Sequence, residues 1–124
     1  MIYATHGSKR FNRWLHGYLE SIAADLALAL DENLAGVVLG GGFGRGEGSL
    51  VRINNVEIPY SALHFTLIVH RKNSVKSHLL ESIQQKYEPL VKTHLHFHPP
   101  LTRRDIRHWP HTLKWQDLLR GHIV

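Results

Sequence analysis

Between residues 9 and 31 the apolar positions Phe11, Leu15, Tyr18, Leu19, Ile22 and Leu26 recur at steps of three and four. That spacing gathers them on one face and predicts a helix. "DENLAG" ends the run, and "GVVLG" (36–40) reads as a short buried strand. A glycine-rich loop follows. "INNVEIPY" (53–60) contains Asn-Asn and Pro59 and predicts a turn or short hairpin leading back to the sheet. "LHFTLIVH" (63–70) is the strongest strand pattern in the chain.

"NSVKSHLLESIQQKYEPL" (73–90) predicts a second long helix, with Asn73 or Ser74 as cap and Val75, Leu79, Leu80, Ile83 and Tyr87 facing inward. Pro89 limits its end. "VKTHLHFH" (91–98) predicts a third strand whose alternation puts His94, His96 and His98 on one face and Leu95 and Phe97 on the other. After Pro99-Pro100, "LTRRDIRHWP" predicts a short helix opened by Thr102, and "TLKWQDLLRGHIV" the start of a last helix. The order helix, strand, loop, strand, helix, strand, helix, helix describes a small α/β domain of the α+β kind, with helices packed on a mixed sheet.

The 124 residues suit a single domain, 1–124, large enough to bury a core without cross-links. No repeat, linker or low-complexity segment divides it. The apolar stretch that runs to Val124 suggests that longer relatives continue there, with a simple C-terminus as the equal alternative. The chain has no cysteine, which excludes disulfides and thiolate metal sites and makes a reducing cytoplasm the expected compartment. No apolar run reaches the roughly 18 residues of a membrane span. With 15 Lys and Arg against 10 Asp and Glu the net charge is +5. A basic surface favours phosphate-rich partners, nucleotides first and nucleic acid less specifically. The 11 histidines add charge only in mild acid.

Glycines at 40, 41, 42, 44, 46 and 48 surround Arg45 in "LGGGFGRGEGSL" (39–50). Such a loop lets backbone amides approach an anion, and Arg45 adds a fixed fork for phosphate. No Lys-Ser or Lys-Thr pair follows, so it is not a Walker loop. The dinucleotide fingerprint also fails, because Glu47 occupies its last glycine position. A plain turn between two elements is the alternative.

"GGFGRGEG" followed by "PYSALHFTLIV" resembles the minimal nucleotidyltransferase domain of the DNA polymerase β-like superfamily. Gly41 and Gly42 match its Gly-Gly or Gly-Ser turn, and Arg45, Gly46 and Glu47 match the Arg-Gly-Glu of small bacterial members. "PPLTRRDIRHWPHTLKWQDLLRGHIV" is similar to the C-terminal part of that group, so the resemblance spans about residues 35 to 124. It implies a nucleotidyltransferase-like fold, nucleotide phosphates held at Gly41, Gly42, Arg45, Gly46, Glu47 and Ser61, and a helical protein partner. In that superfamily two aspartates on one strand and a third acid on its neighbour hold two divalent metals.

Here the Ser-Asp-x-Asp segment reads Ser61, Ala62, Leu63, His64, and the third acid position falls on His96, with His98 next. No Asp or Glu lies between Glu57 and Glu81 or between Glu88 and Asp105. Magnesium demands oxygen ligands, so the resemblance leads to a degenerate, inactive nucleotidyltransferase that acts as a nucleotide-binding, regulatory or partner module. Three readings stand beside it. One is an interaction module, homo- or hetero-oligomeric, without a ligand. Another is transfer through zinc or nickel held by His64, His96 and His98. In the third those histidines merely fill a polar cleft.

Overall fold

The computed structural model describes residues 2–106 and 116–117. Helix α1 (Lys9–Leu30) starts where Ser8 caps it, the Ser8 hydroxyl accepting from the Phe11 amide at 3.0 Å. Its buried face contains Phe11, Leu15, Leu19, Ile22, Ala23, Leu26 and Leu30, the stripe that the spacing predicts, with Asn12 set into it. Tyr18, expected on the stripe, lies at its flank and is only half-buried.

Strand β1 (Leu34–Gly40) is followed by a one-turn helix, α2 (Gly41–Gly44). Strands β2 (Leu50–Ile53) and β3 (Val56–Pro59) form a hairpin, and β4 (Leu63–Val69) returns beside β1. Helix α3 (Ser77–Val91), β5 (Leu95–Phe97), α4 (Arg103–Ile106) and β6 (Gln116–Asp117) complete the described chain. The main sheet has the order β5-β4-β1-β6, with β4 antiparallel to β1, β5 parallel to β4 and β6 antiparallel to β1. The result is a mixed sheet with helices on it, as the sequence pattern predicts.

One face of that sheet, made by Val37, Leu39, Leu63, Phe65, Leu67, Val69 and Leu95, shares a single core with α1 and α3. The opposite face carries Gly36, Val38, Gly40, His64, Thr66, Ile68 and His96, because pairing places Gly36 against Ile68, Val38 against Thr66, Gly40 against His64 and His64 against His96. Val38 and Ile68 are also buried, so β1 and β4 read as nearly continuous apolar runs, in the manner of central strands. Asn33 ties the start of β1 to the end of β4. Its Oδ1 accepts from the Arg71 amide at 2.7 Å and its Nδ2 donates to the Arg71 carbonyl at 3.0 Å.

Several elements depart from the sequence pattern. The β2–β3 hairpin does not join the main sheet; it forms its own two-stranded sheet. Asn54 and Asn55 turn it with φ 51° and 66°, the two positive values of a tight hairpin turn, which asparagine tolerates. Asn73 and Ser74 lie in a separate 3-10 turn, and Lys76 precedes α3 without a side-chain cap. Helix α3 runs through Pro89 to Val91. Val91 is fully buried and the Lys92 amide closes the last turn on the Glu88 carbonyl at 2.8 Å; this burial outweighs the hydrogen bond that proline forfeits.

Strand β5 is accordingly shorter than predicted, and His94 is drawn out of the histidine face toward Glu88, its side chain 89% exposed. The helix predicted from residue 112 is contradicted at Gln116–Asp117, which pair with Leu39 and Val38 as strand β6; the rest of that segment lies outside the described residues. The Thr102 cap is present in reciprocal form. Asp105 N–H donates to the Thr102 hydroxyl at 3.4 Å, and Thr102 N–H donates to the Asp105 carboxylate at 2.9 Å.

Candidate functional site

Strand β1 delivers the glycine turn directly beside β4. Gly40 pairs with His64 in register, and a Cβ placed on Gly41 would meet His64 Cδ2 at 2.8 Å. Gly41 has φ 65° and Gly46 φ 79°, conformations that side chains resist. Between them the chain closes on itself. Arg45 N–H donates to the Gly41 carbonyl at 3.2 Å, Gly46 N–H to Phe43 at 3.2 Å and Glu47 N–H to Gly42 at 2.7 Å. Phe43 is buried and anchors the turn, with Gly48 packed so closely over it that a Cβ there would come within 1.9 Å of the ring.

A second set of contacts fastens this turn to the N-terminal segment. Gly48 N–H donates to the Tyr3 carbonyl at 3.0 Å, and the Thr5 amide and hydroxyl both reach the Gly46 carbonyl, at 3.0 and 2.8 Å. Tyr3 and Ala4 are themselves fully buried, and their amides donate to Asn12 Oδ1 at 2.7 and 3.0 Å. Burial also pushes the Tyr3 phenol up to about 12, with the Glu20 carboxylate adding to the effect. The turn is therefore a shaped structure supported from α1, not a slack connection. Its amides from Arg45 to Gly48 are spent on internal carbonyls, so its outward charges are the side chains of Arg45 and Glu47. The Arg45 guanidinium lies 3.5 Å from the Glu47 carboxylate, both side chains well exposed, and so a weak partner that an anion can displace.

The histidines meet at the same place. Parallel pairing of β4 with β5 sets His64 beside His96, and His98 follows just past the strand end, its amide donating to the Phe65 carbonyl at 2.9 Å. The three rings stack, with centroids 5.2 Å (His64–His96), 5.1 Å (His64–His98) and 4.6 Å (His96–His98) apart and planes within 28°. His64 Nδ1 and His98 Nε2 lie 2.9 Å apart, a hydrogen bond that needs one protonated and one bare nitrogen. Burial lowers the pKa of His64 below the usual histidine value, and the neighbouring His98 and His96 lower it further. His64 thus favours the neutral imidazole.

Stacking is not ligation. Among the described residues no group of three or more His, Cys, Asp or Glu is arranged to hold a metal ion. Neither β4 nor β5 carries a carboxylate, and the Glu88 carboxylate of α3 accepts the Leu95 amide at 2.8 Å. With Gln84, whose amide donates to the Leu95 carbonyl at 2.9 Å, it covers the outer edge of β5. The described residues of the two strands therefore offer no carboxylate set for a magnesium pair, and the stacked rings are not arranged as a three-histidine zinc or nickel centre.

Of the sequence-predicted residues, Gly41, Gly42, Arg45, Gly46 and Glu47 share one turn, and His64, His96 and His98 form one stack against it. Ser61 lies just before β4, where its carbonyl accepts from the Thr93 hydroxyl at 2.9 Å. Asn12, Tyr3 and Thr5 carry the turn and escaped sequence reasoning. The readable signal was Asn12 itself, a polar residue inside an apolar helix face. No described helix is long and apolar enough to cross a membrane. No protein-family model, characterised protein or solved structure matches the chain.

Proposed function

We propose that this chain is a degenerate nucleotidyltransferase-like domain that has lost metal-dependent transfer and binds a nucleotide as a regulatory or partner module. One observation carries the reading. The glycine turn, the strand aligned with the Ser-Asp-x-Asp segment and the strand aligned with the third acid come together, Gly41 against His64 and His64 against His96. These are separate stretches of sequence, and the resemblance to the DNA polymerase β-like superfamily requires them to converge. Ala62 and His64 at the two aspartate positions, with His96 at the third acid position, remove the oxygen ligands on which the superfamily's metals depend. Arg45 supplies the lasting positive charge of the turn, and the imidazoles add charge only when protonated.

The test is calorimetric titration with ATP, GTP, CTP and UTP, first with magnesium and then with EDTA. Binding of one nucleotide in both conditions, lost in Arg45→Ala, is the expected result. Binding that needs magnesium contradicts the loss of the metal site. No binding of any of the four overturns the nucleotide reading and leaves a ligand-free interaction module. That second reading has an observation of its own, the hairpin side chains Ile53 and Val56, 55% and 52% exposed. Sedimentation of the purified protein over a concentration series tests it, self-association supporting a homo-oligomer.

A further inference from the structure

Phe11, Trp14 and Tyr18 recur on α1 at the spacing of one helix face. Phe11 belongs to the core, but Trp14 and Tyr18 lie only half-buried, Trp14 tilted on Phe11 at 5.8 Å and edge-on to Tyr18 at 5.4 Å. The β2–β3 hairpin and the end of α3 complete a groove of about 470 Å³ over them, within the roughly 300–1,000 Å³ of small-molecule sites. Val56 and Leu90 add apolar walls, 52% and 44% exposed. The groove shares no lining residue with the glycine turn or the histidine stack.

Its charge is predominantly positive. Arg10 and Lys92 line it, and neither is in an ion pair among the described residues. Glu57 also lines it, but that carboxylate is already committed. It accepts the Ser8 amide at 3.0 Å and the Ser8 hydroxyl, and it pairs with Arg52 at 3.4 Å. The groove therefore offers flat aromatic surface beside two uncompensated cations.

We propose that this groove is a binding site for a small aromatic anion, a planar apolar body bearing a carboxylate, sulfonate or phosphate. The aromatic body covers Trp14 and Tyr18, which removes half-exposed ring surface from water. The anionic group takes charge-assisted hydrogen bonds from Arg10 and Lys92. A neutral analogue gains only the first contribution, and a cationic one is opposed by both basic groups.

The test uses 2-naphthoate, its neutral analogue 2-naphthalenemethanol and the cation 2-naphthylmethylammonium, titrated into the whole protein. Binding is read from the Trp14 indole N–H resonance, assigned by its loss in Trp14→Phe. The expected result is saturable movement of that resonance with naphthoate, about tenfold weaker binding of the neutral compound and no binding of the cation. Arg10→Gln and Lys92→Asn, separately and together, should erase the preference for the anion while leaving the neutral affinity and the unfolding midpoint unchanged. Asparagine suits position 92 because Lys92 has a left-handed backbone, φ 62°. No movement of the Trp14 resonance at millimolar naphthoate, equal affinity for anion and neutral, or an anion preference that survives both substitutions overturns the proposal.

Discussion

Replacing Asn12 by alanine removes the side chain that joins the N-terminal segment to α1. Asn12 Oδ1 accepts from Tyr3 N–H at 2.7 Å and Ala4 N–H at 3.0 Å, and its Nδ2 donates to the Ser8 and Ala4 carbonyls at 3.0 and 3.2 Å. Tyr3 and Ala4 are both fully buried, so the substitution strands two amide donors away from water. Each stranded donor costs about 1–3 kcal/mol. Water entering the vacated space relieves part of this, so the expected loss is about 2–4 kcal/mol, a large share of the roughly 5–15 kcal/mol of a typical domain.

Urea unfolding followed by circular dichroism measures the loss. Ser21→Ala is the control, because the Ser21 hydroxyl is exposed and bonds to the Gly17 carbonyl one turn back; it should change stability by less than about 0.5 kcal/mol. The damage should spread to the glycine turn, since Gly48 N–H depends on the Tyr3 carbonyl. Hydrogen exchange at Gly48 should therefore accelerate in Asn12→Ala. A loss below about 1 kcal/mol, with Gly48 exchange unchanged, would refute the claim that α1 shapes the turn.

Glycines give a paired prediction. Gly48→Ala drives a methyl to within 1.9 Å of the buried Phe43 ring and should abolish folding or cost several kcal/mol, whereas Gly17→Ala meets nothing within 4 Å inside α1 and should stabilise by about 0.5–1 kcal/mol in the same urea assay. Asp105, held at about 2 by the Lys72 ammonium and the Thr102 hydrogen bonds, and Asp25, lowered by hydrogen bonds from Lys86 and Tyr87, have folded pKa values below their unfolded ones. Their stabilisation is therefore complete above the unfolded carboxylate value, roughly 3.9, and is lost as pH falls through the folded values; urea midpoints should drop between pH 5 and pH 2, less steeply in Asp25→Asn. His64 follows the same sign, since its folded pKa is also lowered. Its contribution is complete above the unfolded value of roughly 6.5 and declines below it, so His64→Gln should flatten the urea midpoint between pH 7 and pH 5.

The parts of the fold legible in the sequence were those governed by periodicity. The stripe from Phe11 to Leu26 gave α1 to within a residue, and the β-branched runs located β1 and β4, whose core-facing positions are all apolar. Ends were less legible where burial overrode local chemistry. Val91 packs in the core and pulls α3 past Pro89, which shortens β5 and moves His94 off the histidine face. Strand β6 was hidden because its two described residues, Gln116 and Asp117, sit in a stretch of helix-like spacing and are recruited by the open edge of β1. At the candidate site, alternation placed His96 and His98 together, and the parallel register with β4 brought His64 to them. The N-terminal contacts of Tyr3 and Thr5 with the turn join residues more than 40 positions apart, mostly through backbone groups, and no side-chain pattern encodes them.

The proposed nucleotide site lies where the glycine turn meets the histidine stack and needs no magnesium. Backbone amide and imidazole resonances recorded during titration with the tightest-binding nucleotide, in EDTA, test it most directly. The largest changes are expected on Gly41, Gly42, Arg45 and the rings of His64, His96 and His98. Changes centred elsewhere, or none at saturating nucleotide, would contradict it.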